Sequence, residues 1–236
     1  MAIVLPQSLR GVTLWRYMSL QKLLALLQSR SLHFSQLKLL RDPCEGSVPI
    51  AWESAVDVSQ PDPISGSSRR TEWQEYQFFP GPGEYLKDKR LGDELYVSCW
   101  HAHEQQSAAM WSVYSSENGI AVKTTCDLLA NAFQSCERNI ELAAVQYMES
   151  VPGLICGRPW TIKRLPFQDE REVRACVRDP DCKQPGLLVP VDVETLVEEV
   201  WVSPESEAWT EAVVKDVVAK YDLRKPVQRS DLYTPR

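Results

Sequence analysis

Apolar and polar positions first settle into a clear period just after Ser19. Leu20, Leu23, Leu24 and Leu27 recur at i, i+3, i+4 and i+7, the spacing of one buried helical stripe. Ser19 precedes them and is a favoured N-cap type. Val12-Thr13-Leu14-Trp15-Arg16-Tyr17 before the stripe and Leu32-His33-Phe34-Ser35 after it read as short strands. The chain thus opens strand, helix, strand. Further strands are predicted over 95–100, 120–124, 142–147, 173–177, 187–191 and 200–202, with Asn118-Gly119 turning into the second of these. Helices are predicted over 107–114, where Met110, Trp111 and Tyr114 fall on one side, and over 126–133. A last long helix is expected from Ser203-Pro204, serine at the cap and proline at the first helical position. Its stripe would be Trp209, Val213, Val217 and Tyr221, widened by Val214 and Val218.

Between 41 and 94 the periodicity is lost. Arg41-Asp42-Pro43-Cys44-Glu45-Gly46 is turn-rich, 60–68 reads as a loop, and Phe79-Pro80-Gly81-Pro82-Gly83 is a break. Trp73, Tyr76, Phe78 and Phe79 lie between these breaks and suggest a short docked helix. Strands interspersed with helices of uneven length predict an α+β fold, a mixed and mostly antiparallel sheet flanked by helices. One domain over 1–236 is expected, with an irregular insertion at about 41–94.

Composition narrows the classes without choosing among them. The 236 residues are 44% hydrophobic and 25% charged, enough for an ordinary core. A net charge of −6 argues against broad, non-specific nucleic-acid binding, though Lys163 and Arg164 leave room for a local basic patch. Seven cysteines, none in a C-x-x-C pair, read as reduced thiols used mostly as small buried hydrophobes. Residues 1–5 are apolar but stop at Pro6 with no basic stretch before them, so no secretory leader is expected. No run is long enough to span a bilayer. A cytoplasmic protein without membrane partners is the expectation.

Several familiar sites are missing: there is no P-loop, no G-x-G-x-x-G, no G-x-S-x-G and no H-E-x-x-H. His101 and His103 share one side of a predicted strand, but no second cluster completes a metal site. Glu170-Arg171-Glu172-Val173-Arg174 is the most informative stretch. At period two, Glu170, Glu172 and Arg174 project to one face, where they suit either a polar cleft or a solvated strand start. Arg16 interrupts an otherwise apolar strand. Together with Ser98, these charges and the aromatics Tyr17, Trp100, Trp111 and Tyr114 suit a cleft for a flat, phosphate-bearing ligand. Each of Trp100, Trp111 and Tyr114 taken alone reads as core.

Two resemblances follow from these residues. Leu14-Trp15-Arg16-Tyr17, the leucine-rich helix, Phe34-Ser35, Arg41 to Gly46, Ser98-Cys99-Trp100, Met110-Trp111-Ser112-Val113-Tyr114, Asn118-Gly119 and Phe167 to Arg174 occur in that order. The order resembles the bacterial family called "domain of unknown function 2971", with Cys44 where that family has an aromatic residue. That family name implies no activity. More distantly, Arg16, Ser98 and Glu170-Arg171-Glu172 resemble the ordered arginine, serine and Glu-x-Glu of mono-ADP-ribosyltransferases. That resemblance implies NAD as substrate. Arg16 would lie near its ribose or pyrophosphate, Ser98 would brace the nicotinamide ribose, and Glu172 would accept from the 2′-hydroxyl. Glu170 would orient the acceptor, a protein or nucleic acid, and Arg174 would keep a carboxylate ionised. Tyr17, Trp100, Trp111 and Tyr114 complete the expected dinucleotide site, in a protein of toxin or phage-defence type.

Two other readings compete. Glu170, Glu172 and Asp42 would gather a divalent metal in a nuclease. The aromatic-rich 73–85 segment would dock a partner in a non-enzymatic sensing or adaptor module.

Overall fold

The computed structural model describes residues 2–42, 91–114, 118–148 and 159–234. The loop at 60–68, the break at 79–83 and the aromatic segment at 73–85 lie outside the described residues. In chain order the elements are β1 (Ile3–Val4), β2 (Thr13–Ser19), α1 (Leu20–Ser29), β3 (Ser31–Gln36), α2 (Leu91–Glu94) and β4 (Leu95–Ala102). There follow α3 (Ala108–Tyr114), β5 (Gly119–Thr125), α4 (Cys126–Ala132), β6 (Ile140–Ala144), β7 (Gln146–Met148) and β8 (Ile162–Arg164). The chain closes with β9 (Glu172–Arg178), β10 (Gly186–Pro190), α5 (Val193–Leu196), β11 (Glu199–Val202), α6 (Thr210–Lys220) and β12 (Val227–Arg229).

Ten strands form one mixed sheet in the order β1-β6-β9-β4-β2-β5-β11-β12, with β3 and β10 attached beside β4. Only the outer pairs β1–β6 and β11–β12 are parallel; the other pairings in this sheet are antiparallel. This is the α+β arrangement expected. β4 has β9 along one side. Its other side is shared: Ala102 and His101 pair with Leu14 and Trp15 of β2, whereas Val97 and Tyr96 pair with Ser35 and Gln36 of β3. The sheet therefore forks at Ser98, Cys99 and Trp100, where β2 and β3 part.

Alternation along the central strands sorts their side chains into two layers. Leu14, Met18, Tyr96, Trp100, Val173, Ala175 and Val177 join the main core with Leu23, Leu26 and Leu27 of α1. Leu95, Val97 and Cys176 turn the other way, against Leu37 and Trp160. Trp15 and Tyr17 face that second side too, covered by Met110 and Trp111 of α3. Among the described residues no helix is long and apolar enough to cross a membrane.

Local expectations fare unevenly for identifiable reasons. Ser19 does occupy the cap position of α1, yet its side chain makes no cap hydrogen bond. Thr125 does cap α4, accepting from the Leu128 amide at 3.2 Å. The last helix starts seven residues later than Ser203, at Thr210. Ser203 instead heads a turn, its carbonyl accepting from the Ser206 amide and its hydroxyl from the Glu205 amide. The Arg229 guanidinium holds the carbonyls of Pro204 and Ser206 and keeps that turn from winding into helix. The buried stripe of α6 is Thr210, Val214 and Val218, while Trp209 is 61% exposed. Valines at both 213 and 214, and at both 217 and 218, make two adjacent stripes equally apolar, and packing selects one. The strand expected over 142–147 divides at Val145, whose amide bonds to the Glu172 carbonyl before the chain leaves β9 to run parallel to β8.

Candidate active site

The carboxylate cluster begins with a backbone irregularity. A 3₁₀ turn, Leu165–Glu170, ends at Arg171 in the left-handed region, with φ of 42°. That conformation costs about 1–2 kcal/mol for a residue with a Cβ. It is held by the Arg171 amide bonding to Gln168 and by its carbonyl accepting from the Ala102 amide of β4. Glu170 and Glu172 thus flank a kink rather than lying on one strand: Glu170 ends the turn and Glu172 begins β9.

Their side chains nevertheless meet. Arg174 lies two residues along the same strand face, and its guanidinium grips Glu172 with both ends, Nε to Oε1 at 3.0 Å and Nη2 to Oε2 at 3.0 Å. Its Nη1 donates to the Trp160 carbonyl at 2.6 Å. Lys163 Nζ donates to Glu170 Oε2 at 2.6 Å and to Glu172 Oε2 at 3.3 Å. The Cys99 thiol, directly across from Arg174, also hydrogen-bonds Glu172. The Tyr147 hydroxyl accepts from the Glu172 amide at 2.7 Å. Arg174 is fully buried, and the side chains of Glu172 and Lys163 are 3% and 7% exposed.

Burial alone would push the Glu172 pKa up. The charge and hydrogen bonds of Arg174, with the charge of Lys163, outweigh it and lower the pKa to about 2. Burying two carboxylates would be prohibitive without such partners.

An aromatic wall adjoins this network. Tyr17 meets Trp111 edge to face at 4.9 Å between ring centres, and His101 lies 5.9 Å from Tyr17 and 5.0 Å from Tyr114. His101 Nδ1 sits 3.0 Å from the Glu170 carbonyl. A carbonyl only accepts, so Nδ1 carries the proton. Burial lowers the His101 pKa, against the opposing pull of Glu172 and Glu170. Burial, with the charge of Glu170, raises that of Tyr114. Tyr114 is 41% exposed and forms the outer end of the wall. Beyond it, the Tyr17 hydroxyl accepts from the Ser107 amide and Trp111 donates to Gln106. Gln106, Ser107 and Arg171 also line an open groove of about 780 Å³, whose far side carries Arg10 and Thr13.

Arg16 and Ser98 belong elsewhere. Arg16 spans the fork, donating to Ser98 Oγ at 2.8 Å and to the His33 carbonyl at 3.3 Å, with its guanidinium 5.4 Å from the centre of the Trp100 ring. Ser98 and Trp100 alternate with Cys99 and His101 on β4, so they point through the opposite face of the sheet from Glu172. The residues expected to share one recess therefore fall into two groups. One holds Glu170, Glu172, Arg174, Tyr17, Trp111 and Tyr114. The other holds Arg16 and Ser98, with Trp100 buried in the main core. Strict alternation is the physical reason.

Asp42 does not join the carboxylates. It is buried and takes a two-pronged grip from Arg164, Nε and Nη2 each at 3.0 Å. Each acidic group of the suggested metal site thus faces a cation. Among the described residues no group of three or more His, Cys, Asp or Glu is placed to hold a metal ion. The five described cysteines are free thiols, three of them buried.

Lys163, Cys99 and Tyr147 are parts of the site that sequence patterns did not single out, and in sequence His101 reads only as a metal ligand. In sequence Lys163 reads only as part of a local basic patch with Arg164. A lysine nine residues before a glutamate has no signature spacing, and Tyr147 arrives through a separate two-stranded sheet, β7–β8.

No protein-family model matches the chain, and no curated protein matches it. Among solved structures it is similar to DarT from Thermus sp. 2.9. In the complex of that protein with NAD+ the identity is 10%, the match covers 94% of this chain and 96% of the other, and the TM-score is 0.42. In its complex with ADP-ribosylated single-stranded DNA the identity is 11%, 97% of each chain is covered, and the TM-score is 0.43.

Proposed function

We propose that this chain consumes NAD, cleaving the nicotinamide glycosidic bond and passing ADP-ribose to an acceptor or to water. The observation that carries the reading is the buried, ionised Glu172, locked by Arg174 beside a wall of aromatic rings. Breaking the nicotinamide bond builds positive charge on the ribose, as glycoside cleavage does. A carboxylate held in place in a low-dielectric site stabilises that charge without reorganising. Glu172 supplies the fixed negative charge. Lys163 bridges both carboxylates and bonds more closely to Glu170 than to Glu172. A small shift of Lys163 toward Glu170 opens Glu172 Oε2 to a ribose hydroxyl.

Glu170 is the more exposed carboxylate and stands beside Tyr114. It is the group in reach of an incoming nucleophile, whose proton it would accept. Tyr114, exposed at the outer end of the wall and backed by buried Tyr17 and Trp111, supplies the flat apolar surface that a nicotinamide ring needs. The groove beside them carries Arg10 and Arg171, suited to the pyrophosphate, and its volume is that of a cofactor cleft. In this reading Arg16 and Ser98 stay on the other face and act on the reaction only by holding the fork.

The test is release of labelled nicotinamide from NAD by the full chain. Wild-type protein is expected to release it, and Glu172→Gln to lower the rate by about 100-fold. Tyr114→Ala, which removes the exposed ring but neither carboxylate, should raise KM. Wild-type protein that neither binds nor cleaves NAD would overturn the proposal.

A further inference from the structure

β7 and β8 form a sheet of two parallel strands, apart from the main one. Tyr147 of β7 stands opposite Lys163 of β8. Residues paired across neighbouring strands project to one face. Both of these side chains end on Glu172, Lys163 Nζ on its carboxylate at 3.3 Å and the Tyr147 hydroxyl on its amide at 2.7 Å. A cross-strand pair of the small sheet thus holds one residue of the large sheet at two points.

The bond to the amide departs from ladder geometry. β6 and β9 pair as far as Ala144 with Val173, which places Val145 opposite Glu172. In an antiparallel ladder a bonded pair exchanges two hydrogen bonds. The Val145 amide does donate to the Glu172 carbonyl, at 2.8 Å. The return bond from the Glu172 amide goes to the Tyr147 hydroxyl, where regular pairing would send it to the Val145 carbonyl. The same peptide is held at its other end, the Arg171 carbonyl accepting from the Ala102 amide at 2.8 Å. That peptide joins the kink to Glu172, so its plane sets how Glu172 stands relative to Glu170. Burial chiefly raises the Tyr147 pKa above its ordinary value. The hydroxyl therefore stays neutral and adds no third negative charge beside the two carboxylates.

We propose that Tyr147 is a positioning residue for the reaction, fixing the Arg171–Glu172 peptide so that the Glu172 carboxylate meets the charge developing on the ribose. The inference rests on the reading of Glu172 as the group that stabilises that charge. Tyr147 is not among the described residues that line the groove. Its removal therefore acts on the chemical step rather than on binding. Charge stabilisation needs a fixed carboxylate, and a misplacement of about 1 Å costs on the order of 100-fold in rate. Freeing one end of a peptide still held at the other is a smaller displacement, and a loss of about tenfold in kcat is expected.

Release of labelled nicotinamide is compared among the wild-type full chain, Tyr147→Phe and Gln146→Ala, with hydrogen exchange at the Glu172 amide followed by NMR. Tyr147→Phe should lower kcat about tenfold, leave KM within about twofold, and speed exchange at Glu172 by about tenfold or more. Gln146→Ala, at an exposed neighbour on the same strand, should change none of the three. An unchanged kcat in Tyr147→Phe overturns the proposal. So does a rise in KM at constant kcat, which would put Tyr147 against the substrate. An equal loss in Gln146→Ala overturns it too, because the effect would then be a general loosening of β7. With an active wild-type chain alongside, each of these results counts against Tyr147 and not against NAD turnover. Exchange needs no substrate and separates the two in the other direction. If the wild-type chain leaves NAD intact, the reading of Glu172 falls and the reaction role of Tyr147 with it; faster exchange in Tyr147→Phe then leaves only the anchoring of Glu172 standing, and unchanged exchange removes that as well.

Discussion

The two faces of β4 manage charge in opposite ways. On one, Glu170 and Glu172 meet Lys163 and Arg174 in a network of ion pairs almost wholly out of water. On the other, among the described residues, Arg16 bonds to a hydroxyl and a carbonyl, and the cleft it lines with Lys22 carries no acid. A closed network keeps a carboxylate ionised and fixed, which is what charge stabilisation at a reacting carbon requires. Residues two apart on a strand share a face and neighbours do not, and that separates the two groups.

Three measurements bear on that contrast. The largest effect belongs to Arg174→Ala. It leaves Glu172 buried without its main partner and the Trp160 carbonyl without its donor, and is expected to cost about 3–5 kcal/mol in denaturant unfolding. Replacing the pair together, Glu172→Leu with Arg174→Met, should recover most of that loss, because the cost lies in the unpaired charge. A loss on Arg174→Ala no larger than that of a surface substitution would mean that the network is not closed.

The acid limb of the stability profile comes next. Glu172 titrates at about 2 in the folded chain against an ordinary 4.5. Between those values the unfolded chain binds the proton and the folded chain does not. This contribution to stability is complete above pH 4.5, falls as the pH drops toward 2, and should vanish from the profile of Glu172→Gln. An unchanged slope in that variant would place the low-pH loss on other carboxylates.

The smallest effect belongs to the open face. Ser98→Ala removes one hydrogen bond from Arg16, at a cost of about 1 kcal/mol, since the guanidinium keeps the His33 carbonyl and can turn toward the cleft. A loss as large as that of Arg174→Ala would show the two faces to be alike.

Much of the architecture was legible along the chain. The strand, helix and strand of the opening follow from the leucine stripe and its flanks, and the centres of β4, β5, β9, β10 and β11 lie where apolar runs predicted them. Very short strands were not legible. β1, β8 and β12 hold two or three residues each, and their pairing comes from neighbours remote in sequence. The stripe of α6 was ambiguous because adjacent valines offered two faces. In the candidate site, the pairing of Glu172 with Arg174 was readable from period two. Lys163, Cys99 and Tyr147 were not, because no local spacing brings them there.

Alternation is a local property: it decided, before any folding, that Glu172 and Arg174 share a face and that Ser98 and Cys99 do not. Which strand lies beside which is a tertiary matter. Only the assembled sheet brought Arg16 across a fork to Ser98, and Lys163 onto both carboxylates. A strand's side-chain period is set by backbone geometry within a few residues, whereas its neighbours are chosen by burial summed over the whole chain.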